Sequence, residues 1–171
     1  MTRTCGTCSA CCRWPSVPEI NKPPKTSCKN LFKKGYGCKD YANRPKACAE
    51  YLCSWIKGLG VEKDQPDKCH IIIDRKFTQF GIVLVAKQLR PGAAFTGRGK
   101  GAISRAAKDA GMLCLITDYD HISKVIGVAG PKELTDRFRE ENGNKPTQLG
   151  GGTDFANNLI RQIGEGSWQG M

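Results

Sequence analysis

The chain has 171 residues, a formal charge of +11 and 39% hydrophobic content. That length allows one mid-sized domain, or a small module joined to a modest α/β domain. No apolar run approaches the roughly 18 residues of a membrane span, so no membrane partner is expected, and the opening Met1-Thr-Arg-Thr-Cys5 lacks the apolar stretch of a signal peptide, so a cytoplasmic location is expected.

Residues 1–40 read as loop. Pro15, Pro18, Pro23 and Pro24 punctuate them, Gly35-Tyr-Gly37 marks a turn, and few side chains are apolar. Such a segment needs a staple other than burial. A helix is predicted over Pro45–Lys57, capped by Asn43 and ended by Gly58 and Gly60. Residues 61–68 read as a polar linker. Strands are predicted at His70–Asp74, Gly81–Lys87, Leu113–Thr117 and Lys124–Val128, with helices over 102–110 and from Lys132 to Glu141. The expected class is α+β: a loop-rich, metal-stapled module over 1–66, a small α/β domain over 67–141, and a Gly- and Asn-rich tail over 142–171 with a short helix around Phe155 to Ile163.

Nine of the ten cysteines lie between Cys5 and Cys69. In a reducing compartment, clustered cysteines hold metal or do redox work more often than they form disulfides. In Cys5-Gly-Thr-Cys8-Ser-Ala-Cys11-Cys12, two-residue gaps let neighbouring thiolates converge on one ion. With Cys28, Cys38, Cys48 and Cys53 they make eight thiols, enough for two four-ligand sites holding zinc, iron or an iron–sulfur cluster. Adjacent Cys11 and Cys12 point apart in most backbone conformations, so they feed two sites or one of them bridges. Cys48 and Cys53 would be separated by about 500° of helical rotation. Either the helix frays at Cys48 or the two serve different ions. Cys69, at the start of a strand, is a candidate additional ligand, whereas Cys114, inside Met112-Leu-Cys-Leu-Ile116, reads as core.

At these residues the chain resembles the YkgJ-type cysteine-cluster family of zinc- or iron-chelating proteins. The resemblance rests on Cys5-x-x-Cys8-x-x-Cys11-Cys12, on Lys22-Pro-Pro24 leading to Cys28, on Gly37-Cys38-x-x-Tyr41, and on Arg44-Pro45-x-x-Cys48 followed by Tyr51-x-Cys53-x-Trp55. It spans residues 5–56, about a third of the chain. It implies that Cys5, Cys8, Cys11, Cys12, Cys28, Cys38, Cys48 and Cys53 are the metal ligands.

Other signals are weaker. Thr96-Gly-Arg-Gly-Lys-Gly-Ala102 precedes a helix but lacks the spacing of either nucleotide fingerprint, and reads as a flexible basic loop. His70 beside Cys69, and His121 with Asp118 and Asp120, read as a strand edge and a polar turn rather than metal ligands. Trp14, Tyr36, Tyr41, Tyr51 and Trp55 lie among the cysteines; such residues roof a metal site, or stack on bases when interleaved with cations. Two histidines and no Ser/His/Asp arrangement offer little for acid–base catalysis, so a metal-binding protein is expected rather than an enzyme. An iron–sulfur or thiol redox protein and a basic, zinc-stapled nucleic-acid module are the rival readings. Eight thiolates and two divalent ions lower the formal charge to about +7, which still suits an acidic partner or nucleic acid.

Overall fold

The computed structural model describes residues 3–143 and the backbone of 147–148, so the helix expected around Phe155 to Ile163 lies outside the described residues. The N-terminal third is as loop-rich as its prolines and glycines predict. It holds two short helices, α1 (Ala10–Arg13) and α2 (Lys46–Glu50), and isolated antiparallel bridges pair Val17 with Lys22 and Leu31 with Cys38.

The helix expected to run to Lys57 stops at Glu50. Tyr51 turns extended, with φ −74° and ψ 116°. Its hydroxyl donates to Asp74 Oδ1 at 2.6 Å, and Ser54 N donates to the Ile73 carbonyl at 2.8 Å. These contacts draw residues 51–54 along the edge of the sheet, and the tertiary gain overrides helix propensity. Asn43 is not the cap either: its side chain donates to Asp40 and Pro45 takes the cap position.

Residues 61–68 are no linker. A 3₁₀ turn over Glu62–Asp64 leads into α3 (Pro66–Cys69), and Asp64, Gln65 and Pro66 are buried. Asp64 receives Arg105 Nε at 2.8 Å and Nη2 at 2.5 Å, and Val61 N at 2.9 Å. Burial alone would raise the Asp64 carboxyl; the Arg105 guanidinium and the Val61 amide together hold it below the usual carboxylate range.

Five strands follow in one mixed sheet, ordered as in the chain: β1 (Ile71–Thr78), β2 (Gly81–Gln88), β3 (Cys114–Thr117), β4 (Lys124–Ala129) and β5 (Thr147–Gln148). β2 and β3 are parallel; every other neighbouring pair is antiparallel. The parallel pair needs a crossover, supplied by α4 (Gly97–Ala110). α5 (Lys132–Asn142) follows β4. Helices with a mixed sheet make the fold α+β.

The two-residue period of the strands divides the core. Ile71, Ile73, Leu84, Ala86 and Cys114 pack with Ala102, Ile103, Ala106 and Ala107 of α4. Val83, Val85, Leu115 and Val125 pack with Phe138 of α5. Ile72 instead joins Trp14 and Ala10, with Cys8, Tyr51 and Cys53 against them, so the cysteine module sits on β1.

α4 begins five residues earlier than expected, absorbing the glycine-rich stretch. Thr96 caps it by accepting from Gly99 N at 3.0 Å. Gly99 is required there, because a Cβ would lie 1.9 Å from the Ala93 carbonyl oxygen.

Candidate metal centre

Burial of Trp14 and Ile72 fixes α1, and α1 places the cysteines on either side of it. Arg3 ties the preceding segment down, donating to the carbonyls of Trp55, Leu59 and Gly60 at 2.6–2.8 Å and lying 5.1 Å from the Trp55 ring centre. Gln65 Nε2 donates to the Cys5 carbonyl at 2.9 Å. Sequence reasoning missed both residues; neither carries a motif, and only the fold brings residue 65 back to residue 5.

A cavity of about 30 Å³ opens here, lined by Cys5, Cys8, Cys11 and Cys53 and roofed by Tyr51 and Trp55. Burial is the first cause that raises the Cys5 and Cys53 thiols and pushes Cys8 up to about 11. Cys53 reaches the cavity because the chain has already left α2.

Cys12, Cys28, Cys38 and Cys48 form a second neighbourhood. Cys28 N donates to the Cys12 carbonyl at 2.8 Å, and the Leu31–Cys38 bridge folds Cys38 back. Burial raises the Cys48 thiol, and the charges of Cys12, Cys28, Glu19 and Cys38 add to it. Buried Lys22 donates to the carbonyls of Pro15 and Pro23, and its charge interacts with Cys28, Cys12 and Cys48. The Lys22-Pro-Pro motif gave no sign that this ammonium would be buried.

The two neighbourhoods meet at Cys11 and Cys12. The hydrogen bond between them lowers Cys12 to about 6, with help from Lys22 and Arg13 against burial, and with burial it raises Cys11. Cys48 and Cys53, five residues apart in sequence, stand in different neighbourhoods.

The remaining candidates lie elsewhere. Cys69 is 1% exposed in the core against α4, and its thiol contacts the Asp64 carbonyl at 3.2 Å. Cys114 is fully buried, and burial pushes its thiol up to about 12. His121 belongs to a turn in which Asp118 Oδ1 accepts the Asp120 and His121 amides at 2.8 and 3.0 Å. Burial first, then Arg90 and Arg98, lower His70.

Among the described residues, no three or more His, Cys, Asp or Glu side chains are arranged so that they could hold a metal ion as they stand. All ten cysteines are unbridged. Among the described residues, two buried side-chain polar atoms lack a partner, Trp14 Nε1 and Asp67 Oδ1. Trp14 packs in the same cluster as Cys8 and Cys53, and the Asp67 amide and charge both act on the Cys8 thiol. No described helix is long and apolar enough to cross a membrane.

The chain matches no protein-family model, no curated protein and no solved structure. The resemblance of residues 5–56 to the YkgJ-type family therefore rests on the sequence motifs alone.

Proposed function

We propose that the protein binds two zinc or iron ions through two sets of four cysteine thiolates. Cys5, Cys8, Cys11 and Cys53 form one set, and Cys12, Cys28, Cys38 and Cys48 the other. The supporting observation is the cavity of about 30 Å³ lined by four thiols from two separate segments. A space for about two or three water-sized spheres suits one ion better than a four-iron cluster. The thiols must draw inward to reach metal–sulfur distances of about 2.3 Å, and they lie in the part of the chain with least regular structure.

The chemistry of the donors agrees with this reading. Burial disfavours the thiolates, and a divalent cation offsets that cost while displacing their protons. Metal-bound sulfur would also give the orphaned Trp14 Nε1–H an acceptor. The ions hold the module closed, because residues 1–40 bury too little apolar surface to offset their chain entropy. Free thiols of this kind belong in a reducing compartment, and we place the protein in the cytoplasm.

Elemental analysis of anaerobically purified protein tests the reading. About two metal equivalents per chain are expected, with no inorganic sulfide. Cys53→Ser and Cys48→Ser should each remove one equivalent and the double variant both. No bound metal, and no uptake by the reduced protein, would refute it. Inorganic sulfide with absorbance near about 400 nm would replace it with an iron–sulfur redox protein.

A further inference from the structure

The aromatic residues of the N-terminal module divide into two sets. Trp14 and Trp55 are buried and Tyr51 is half-buried, all around the first thiol set. Phe32, Tyr36 and Tyr41 stand in solvent, 48%, 44% and 65% exposed, and none belongs to a described apolar cluster.

Backbone geometry explains the exposure. Residues 30–39 form a short hairpin in which Lys39 N donates to the Asn30 carbonyl at 2.7 Å and Phe32 N to that of Gly37 at 3.3 Å, with Leu31 opposite Cys38. Strand alternation puts Leu31 and half-buried Cys38 on one face, and Phe32 and exposed Lys39 on the other. The Phe32 ring lies over Gly37, where a Cβ would sit 3.2 Å from it.

Cations flank these rings along the chain. Lys29, Lys33, Lys34 and Lys39 are exposed and make no ion pair among the described residues. The Arg44 guanidinium stacks 4.0 Å from the Tyr41 ring centre. Asp40 is the only acid between Cys28 and Lys46, and it is already engaged by Asn43.

An apolar partner would strip water from unpaired lysines, at a cost. An acidic peptide would pair the lysines but leave the rings without a flat partner. A duplex hides its base faces. A single strand offers phosphates to the lysines and unstacked bases to the rings. We infer that the 30–39 hairpin and the Tyr41–Arg44 pair form a contact surface for single-stranded nucleic acid. It holds the strand by backbone charge and base stacking and has little sequence preference. The surface rests on the thiolate reading only through Cys28, Cys38 and Cys48, which fix the base of the loop.

The test uses the full metal-replete chain and fluorescence anisotropy of a labelled oligothymidylate of about 15 nucleotides, over about 50–200 mM salt. Binding should weaken with salt. Phe32→Ala/Tyr36→Ala should weaken it at least about fivefold without changing the salt slope. Lys33→Glu/Lys34→Glu should weaken it and flatten the slope by about 1.4. Lys76→Glu/Lys108→Glu, the same charge change on exposed residues of β1 and α4, should leave affinity near the wild-type value. Equal loss in that control, equal affinity for the duplex, or equal competition by polyglutamate would each overturn the inference, the last in favour of an acidic protein partner. Two metal equivalents without oligonucleotide binding would overturn it and leave the thiolate reading standing. Salt-sensitive, hairpin-dependent binding by a protein that holds no metal would do the reverse.

Discussion

The two thiol sets should differ in how their metal affinity depends on pH. A thiol whose pKa lies above the working pH carries a proton that the ion must displace. Each such thiol makes affinity fall about tenfold per pH unit as pH drops. In the first set Cys5, Cys8, Cys11 and Cys53 are all raised, burial being the leading cause in Cys5, Cys8 and Cys53 and the Cys12 hydrogen bond in Cys11. That set releases about four protons on loading near pH 7.5. In the second set Cys12 is lowered to about 6 and is already a thiolate there. Cys12 itself therefore gives up no proton on loading. Between pH 8 and 7 the first site should weaken more steeply than the second, and the difference should close below about pH 6, where Cys12 is protonated too. Cys48→Ser and Cys53→Ser each leave one complete set. Competition with a chromophoric chelator on these variants, repeated across pH, gives the two slopes. Equal slopes, or a steeper one for the second set, would refute the assignment of the cysteines or the role of the Cys11–Cys12 hydrogen bond.

Stripping the metal with a strong chelator under reducing conditions should make residues 5–56 protease-sensitive while β1–β4 stay protected by their own core, read as cleavage order by mass spectrometry. Cys114→Ala should leave metal content unchanged and cost roughly 1 kcal/mol in urea unfolding, and in the native protein Cys114 should resist iodoacetamide. Asp64→Asn breaks a charge-assisted pair whose Arg105 side is one-third exposed and can turn to water, so about 2 kcal/mol is expected, below the cost of breaking a fully buried pair. Because the Asp64 carboxyl is held low, that difference should persist above about pH 4 and shrink as the pH falls through the folded value. A difference that survives unchanged to pH 3 would rule out the ion pair as its source. Tyr51→Phe removes a 2.6 Å hydrogen bond to buried Asp74, which keeps Lys87 at 2.8 Å, and should cost about 1.5 kcal/mol with metal retained.

The sheet was legible because its signal is local. His70–Asp74 and Gly81–Lys87 carry the apolar runs and turn residues that mark strands; β2 agrees with its expected limits within a residue, whereas β1 begins one residue late and runs four residues further, to Thr78. What was not legible depends on contacts distant in sequence. The stretch from Tyr51 to Lys57 has every local reason to be helical, yet the free edge of β1 offers the Ile73 carbonyl to Ser54 and the Asp74 carboxylate to Tyr51. The polar string 61–68 reads as linker only until Arg105, 41 residues on, is known to reach Asp64. Three glycines argue against a helix from residue 97, and a Thr96 cap with a close approach at Ala93 reverses that. The thiol centre falls between these cases. Helical rotation alone separates Cys48 from Cys53, and they are indeed separated, but because the chain leaves α2 at Tyr51. One tyrosine on the sheet edge thus ends the helix, roofs the first thiol set and carries Cys53 across to it, so the fold of the larger unit decides which cysteines meet.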